Sequence, residues 1–511
     1  MPSTANKRIA KNTLFLYIRM LLVMAVNLYT VRAVLNILGV EDYGINNVVG
    51  GVVTMFSFLT GVMVSASQRF FAFELGKKDF TKLNNYFNLT LWCYLIIAIV
   101  VLFLAETIGL WFLHSKMIIP LNRMSAAEWV FQFSVLSFMI QMVVIPYNSV
   151  IIAREQMNIY AYVSIVEGLL KLAIVYILTV FTFDKLKLYS VLTCSVIFFT
   201  SSFYILYCNR KFSESKITFY WNKNMFYELI SYCGWNLFGA LSAVLRSQGI
   251  NLLLNLFFNP TINAARAIAF QVNNAINQFI NNFFQAVRPQ ITKQYATGEK
   301  ENFMILIFRS SRFCYYLILF FAIPLLLETP YILKLWLKEI PEYTILFTRL
   351  VIITAIIESV SYPLMSAIQA TGKMKWYQIC TGGLLLLNLP ISYLFLKLSY
   401  PPQITMIISI IIAVFSQIFR VFFSRELFHM SIKGYLRNVI SLISKVTVLS
   451  FLIPITESFL LSPGLLRLII IIITSIITCI LSIYFVGITQ IEQKMIQSVL
   501  LKKIKSQFSP K

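Results

Sequence analysis

The sequence predicts an all-α polytopic membrane protein of about fourteen transmembrane helices. Three observations predict it. Hydrophobic residues make up 59% of the 511 and charged residues 12%, with 44 Phe and a mean hydropathy of +0.77, far from the composition of a soluble globular chain. Apolar runs of about 20 residues, the length that crosses a hydrocarbon core of ~30 Å, succeed one another almost from end to end. Basic residues gather on alternate connections, the positive-inside pattern of a multi-pass chain.

The predicted spans are 13–38, 45–66, 88–113, 128–152, 159–182, 187–208, 226–257, 263–287, 304–328, 344–367, 375–397, 403–424, 437–460 and 465–487. Lys7, Arg8 and Lys11 precede the first. That apolar segment is too long for a signal peptide and no small-x-small cleavage site follows it, so an uncleaved helix is expected. One face then collects Arg69, Lys77, Lys78 and Lys82, Arg154, the run 209–224, Arg288, Lys293 and Lys300, Lys373 and Lys375, Arg425, Lys433 and Arg437, and the tail lysines. The opposite face holds Lys116, Arg123, Lys185, Lys187, Lys334, Lys338, Lys397 and Arg467. Both termini are therefore expected in the cytoplasm. The net charge of +23 is mainly this topology signal and partly attraction to anionic membrane lipid; it does not point to nucleic acid.

The seven cysteines lie in or at the ends of spans without paired spacing, and both histidines fall in loops. Neither a disulfide framework nor a zinc site is indicated. No nucleophile–base pair or metal cluster stands out, so no enzyme activity, metal or cofactor is expected.

An internal repeat organises the chain. "PYNSVIIAREQMNIYAY" from Pro146 matches "PLMSAIQATGKMKWYQI" from Pro363 at an offset of 217, through Ser149 and Ser366, Met157 and Met374, and Tyr160 and Tyr377. Leu35–Asn36 echoes Leu254–Asn255 at an offset of 219. The offset covers six predicted helices, so both copies run the same way through the membrane, which implies two bundles about an axis along the membrane normal with a binding site between them. The expected division is a six-helix bundle over 1–208, a polar basic linker over 209–224, a second six-helix bundle over 225–430, and two extra helices with a basic cytoplasmic tail over 431–511.

Two patterns inside the spans point to a ligand. In "QVNNAINQFINNFFQAVRPQ", Gln271, Asn274, Gln278, Asn281 and Gln285 recur at steps of three and four, which places them on one helix face. Such a row faces water, a polar ligand or another helix; lining the cleft between bundles is favoured over an amide zipper, because one or two amides suffice to join helices. Amides donate to and accept from hydroxyls, which suits a sugar.

The second pattern is cationic. A charge at mid-bilayer costs about 2.5–3.5 kcal/mol even on insertion scales, so such residues face the bundle interior and mark function. Arg266, Arg309, Arg312, Arg349, Arg420 and Lys445 lie within about two turns of a span end and are expected to snorkel. Lys171 and Arg246 are deeper, with Arg19 and Arg32 intermediate. Glu167 precedes Lys171 by four residues, so an ion pair competes with a ligand role there. Arg246 has no acidic residue at helical spacing and needs a partner from another helix or from a ligand. Glu358, and secondarily Glu167, are candidates for ion coupling, or for pairing with one of these cations. A cationic, amide-rich cavity fits an amphiphile with an anionic head and a sugar chain, since the guanidinium fork matches phosphate oxygens.

"VRAVLNILGVEDYGINNVVGG", "SQRFFAFELGKKD", "PYNSVIIAREQMNIYAY" and above all "NAARAIAFQVNNAINQFINNFFQAVRPQITKQYATGE" resemble segments of polysaccharide flippases, the Wzx-type or O-antigen flippases of the multidrug/oligosaccharidyl-lipid/polysaccharide (MOP) exporter superfamily. The resemblance covers most of the first twelve spans. It implies a MATE-like fold of two six-helix bundles plus two helices, alternating access, and a place in the bacterial inner membrane. The implied partner is an undecaprenyl-pyrophosphate-linked oligosaccharide, an O-antigen, capsule or exopolysaccharide repeat unit, moved from the cytoplasmic to the periplasmic leaflet. A monomer is expected, with polysaccharide polymerase machinery as a further partner. Lumen cations hold the pyrophosphate or acidic sugars in that family, a role carried onto Arg19 and Arg246 by depth and helix. A multidrug or cation antiporter of the same superfamily and a peptidoglycan-precursor flippase are the alternatives. Buried cations outnumber buried acids here, which disfavours the antiporter.

Overall fold

The computed structural model describes residues 2–54, 57–115, 117, 119–181, 183–258, 260–337, 340–490 and 492–493. The predicted spans fall on helices. The helices are α1 (Pro2–Thr54), α2 (Ser57–Lys77), α3 (Phe80–Leu104), α4 (Met124–Ala153), α5 (Met157–Val180), α6 (Lys185–Lys211), α7 (Lys223–Phe257), α8 (Pro260–Thr297), α9 (Lys300–Leu327), α10 in two pieces (Thr344–Ser359 and Ser361–Thr371), α11 (Lys375–Lys397), α12 (Ile404–Phe428), α13 (Ser441–Leu460) and α14 (Leu465–Ser482). Ten of the described helices are long and apolar enough to cross a membrane alone, and the pieces of α10, bent by 43°, make an eleventh together. The remaining predicted spans fall on α1, α2 and α8, the first on α1 and the second over the end of α1 and the start of α2.

Local chemistry sets the boundaries. Gly39, at φ 81 and ψ 168, breaks α1 just where the first predicted span ends, in a conformation open to a residue without Cβ. Asp79 and Asp184 cap α3 and α6, each accepting backbone N–H groups of the first turn, which satisfies orphan donors there. The basic tail expected over 494–511 lies outside the described residues.

The chain forms two compact units, one of Met1–Leu241 with Gln285–Lys300 and one of Ser242–Phe284 with Glu301–Lys511. α7 and α8 are thus each shared between units.

In the first unit, α1 packs on α5 and α4 on α6 and α2. Arg123 ties the α1 break to the start of α6, bonding Asp42 at 2.7 Å and Asp184 at 2.9 Å. Burial alone would push the Asp184 carboxyl up, but the Lys187 backbone N–H and the Arg123 guanidinium outweigh it and hold the group below the usual carboxylate range. The segment 209–224 is docked on α3. Asn84 donates to the Glu214 carbonyl at 2.8 Å, and Asn88 both donates to the Lys216 carbonyl at 3.1 Å and accepts from the Thr218 N–H at 2.7 Å. Glu214 is buried and paired to Arg154.

Among the described residues, the second unit holds two apolar clusters. One joins Ile250, Leu254, Ala265, Ala269, Phe347, Val351 and Met406; the other joins Ile276, Ile280, Cys314, Ile318 and Ile352. α14 and the segment after it are fastened to the α9 region, by Arg467 on fully buried Glu328 at 2.8 Å and by Arg312 on Glu492 at 2.8 Å. Most cations expected to snorkel are held inside the protein instead. Arg312 is 4% exposed, Arg309 also meets Glu492, Arg349 donates to the Leu326 carbonyl, and Arg420 donates to Ser361 and Tyr377. Lys445 alone of these is exposed. Depth along a helix sets how far a stem can reach, but a nearby acceptor inside the bundle ends the reach earlier.

Candidate functional site

The polar cluster that best fits a ligand lies in the second unit, on α7, α8 and the first piece of α10. Arg246 of α7 meets Glu358 of α10 at 3.6 Å, so the partner that the sequence required from another helix is this carboxylate. The contact is loose for an ion pair, and Arg246 Nη1 is buried without a hydrogen-bond acceptor. Arg266 of α8, within electrostatic reach of Arg246, is 4% exposed. It bonds Asn251 and stacks on Phe270 with its guanidinium carbon 4.4 Å from the ring centroid. Its Nε and the Oδ1 of Asn263 one turn away are also buried and without partners.

An unsatisfied buried polar atom costs about 1–3 kcal/mol. Guanidinium N–H groups left in that state make a site that gains when an anion arrives, and one carboxylate does not neutralise two guanidiniums. Arg266 was expected at the headgroups. Its burial was not readable, because Asn251 and Phe270 close over it from two helices.

The amide row on α8 is left open. Gln271, Asn274, Gln278 and Asn281 are exposed and Gln285 is half-buried. The opposite side of α8, with Ile276, Ile280, Phe283 and Phe284, packs into the apolar core. A second amide row is consumed inside the protein: Asn277 donates to Asn273 at 2.9 Å and accepts from Tyr362 at 3.5 Å. The interhelical knitting considered for the exposed row is therefore done by its neighbours.

The remaining sequence-singled residues sit in the first unit. Arg19 of α1 lies 4.5 Å from the Tyr160 ring centroid and its Nε is buried without a partner. Lys171 pairs with Glu167 at 2.7 Å, the ion pair that their spacing anticipated. Arg32 falls on α1, and its side chain lies outside the described part of the structure.

The first unit also holds polar residues that sequence reasoning left on the surface. Arg69 is 6% exposed, pairs with Glu228 at 3.5 Å and lies over Phe70. Arg288 bonds Ser65 and Gln68. The two arginines are related by the repeat's offset of 219, a signal that was available. Glu155, in the left-handed region at φ 61 and 4% exposed, bonds Gln290 and Lys293. Its counterpart at offset 217 is Gly372, at φ 75.

No protein-family model matches the sequence, and no curated protein matches it. Solved structures match in fold. An outward-facing multidrug-resistance MATE transporter of the MOP superfamily aligns with 83% of this chain and 96% of its own, at a TM-score of 0.69 and 14% identity. A MOP-superfamily transporter from Pyrococcus furiosus, described by a reversed polarity of its binding pocket that suggests a different function, aligns over 84% and 96% at 0.67 and 14%. A mutant Vibrio cholerae MATE transporter aligns over 84% and 99% at 0.65 and 15%. The chain is an all-α multi-pass membrane protein with the MATE/MOP transporter fold. At these identities the likeness carries the fold alone.

Proposed function

We propose that this protein is a transporter that flips an undecaprenyl-pyrophosphate-linked oligosaccharide from the cytoplasmic to the outer leaflet of the inner membrane by alternating access between its two repeats. The observation that carries the reading is the pair of guanidiniums, Arg246 and Arg266, with buried N–H groups left without acceptors and, among the described residues, one loosely held carboxylate beside them. This chemistry favours an anionic head such as a pyrophosphate. The open amide row of α8 supplies donors and acceptors for sugar hydroxyls. An anion leaving a negative cytoplasm also gains ~2.3 kcal/mol per charge per 100 mV, so the membrane potential drives export. The Pyrococcus furiosus transporter of similar fold lends support, since a reversed polarity of its binding pocket suggests a different function for it.

The structural neighbours include multidrug transporters, which supports a second reading, a cation antiporter using Glu358 or Glu167. Both carboxylates are engaged by cations here, which argues against it. Mass spectrometry of undecaprenyl-linked glycans in cells with and without the gene, with sugar-assembly enzymes intact, separates the readings. The flippase reading expects a complete repeat unit to accumulate on its cytoplasmic carrier, with loss of surface polysaccharide. Unchanged lipid-linked glycans with new sensitivity to cationic dyes would replace it with the antiporter. Accumulation of peptidoglycan precursor instead would assign the other lipid substrate.

A further inference from the structure

Within the first unit, α1, α2, α4 and α6 line a half-open cavity of about 280 Å³ that none of the residues discussed so far occupies. Its walls carry Asn46, Ser134, Ser137, Gln141 and Thr193, and no charged residue among the described lining. The aromatic rings of Phe133 and Tyr189 stand beside them.

The internal repeat supplies a control for whether the fold needs such a cavity. At the offset of 219, Asn46 and Gly50 correspond to Ala265 and Ala269; at 217, Ser134 and Tyr189 correspond to Val351 and Met406. All four counterparts are members of one packed apolar core in the second unit. At Ser137 and Gln141 the second repeat keeps polar residues, Thr354 and Glu358, but around Asn46, Gly50, Ser134 and Tyr189 it is packed hydrocarbon where this repeat is hollow and polar. Polar groups at a site that packs well when apolar are a standing cost unless something satisfies them.

We infer that this cavity is a binding pocket for an uncharged, polyhydroxylated ring of the size of one sugar unit. At about 280 Å³ it lies just below the ~300–1,000 Å³ of sites for drug-sized ligands, room for a single ring. Asn46 and Gln141 can each donate and accept. Ser190 and Thr193 spend their protons on the carbonyls of Lys187 and Tyr189 at 2.8 Å, leaving their oxygens as acceptors for ligand hydroxyls. The rings offer apolar faces to the C–H side of a sugar, and the absence of charge among the described lining selects against an ion. The inference deepens the flippase reading and rests on it for the source of the sugar; the pocket's chemistry is argued independently.

The test uses the full chain in lipid nanodiscs and saturation-transfer difference NMR with methyl glucoside, methyl galactoside and N-acetylglucosamine at millimolar concentration. Asn46→Ala with Ser134→Val installs the second repeat's own residues, and Gly50→Val fills volume while keeping every polar group. A Cβ at Gly50 meets only Ser134 Oγ, at 3.8 Å, so the backbone has room for it. The expected result is transfer to at least one sugar in the wild type, reduced tenfold or more in both variants, with thermal midpoints unchanged. No transfer to any of the sugars, or transfer retained in both variants, overturns the inference. Full restoration of surface polysaccharide by the Asn46→Ala, Ser134→Val variant also overturns it while leaving the flippase reading standing. Sugar transfer lost in the variants, together with surface polysaccharide unaffected by gene deletion, keeps the pocket and removes the flippase reading.

Discussion

Substituting Glu155 by glycine and by alanine separates two opposed energies at one residue. Its carboxylate is 1% exposed and lies 2.5 Å from Lys293, and Gln290 donates to it as well. Deleting one member of a buried pair costs about 3–5 kcal/mol. The backbone pulls the other way, because the left-handed conformation at φ 61 costs an L-residue roughly 1–2 kcal/mol, which glycine is spared. Glycine's looser unfolded chain returns about 0.5–1 kcal/mol of that gain. Glu155→Ala should therefore lose about 3–5 kcal/mol, and Glu155→Gly about 1 kcal/mol less. Equilibrium unfolding of the purified protein in mild detergent measures both, and a double-mutant cycle with Lys293→Met isolates the pair, with a coupling of about 2 kcal/mol or more expected. Alanine as stable as glycine would remove the strain from the account. Both variants within about 0.5 kcal/mol of wild type would show that the carboxylate holds nothing.

Three further outcomes follow from the geometry. Arg246→Ala should abolish transport while membrane abundance stays normal, and Arg246→Lys should restore it only in part, since an ammonium lacks the planar fork; full activity of the alanine variant in a lipid-linked glycan assay would remove Arg246 from the site. The Asp184–Arg123 contact has a pH window set by its sign. A carboxyl whose folded pKa is depressed contributes stability that is present above its unfolded value and lost as the pH falls through the folded one, so wild type should shed this increment below about pH 4. Asp184→Asn, which already lacks it, should show a flatter thermal midpoint between pH 6 and pH 3. A chain ending after Leu460 should be degraded in cells, with Glu328→Gln in the truncated chain partly restoring its abundance.

The spans were legible because twenty apolar residues have few other places to go. The Lys171–Glu167 pair was legible too, since helical spacing alone brings those groups together. The Arg246–Glu358 contact was foreseen only as a need, because a partner on another helix leaves no mark at a fixed spacing. Arg266 and Arg312 were misplaced for the same reason: distance from a helix end predicts reach, while Asn251 and Glu492 decide the destination. The cavity at Ser134 was invisible, since each of its walls reads as an ordinary serine, asparagine or threonine until four helices put them together.

The fastening of α14 also has a consequence in time. Glu328 is neutralised by a residue 139 positions later, and Arg312 by one 180 positions later. At a synthesis rate of ~5–20 residues per second, α9 waits roughly 10–30 s with buried-type charges exposed to its surroundings. Synthesis of α14 and the residues through Glu492 is therefore what quenches them. A ribosome that stalls before α14 leaves an unmatched glutamate and arginine in the bilayer, a chemical label by which a membrane protease can tell an unfinished protein from a finished one.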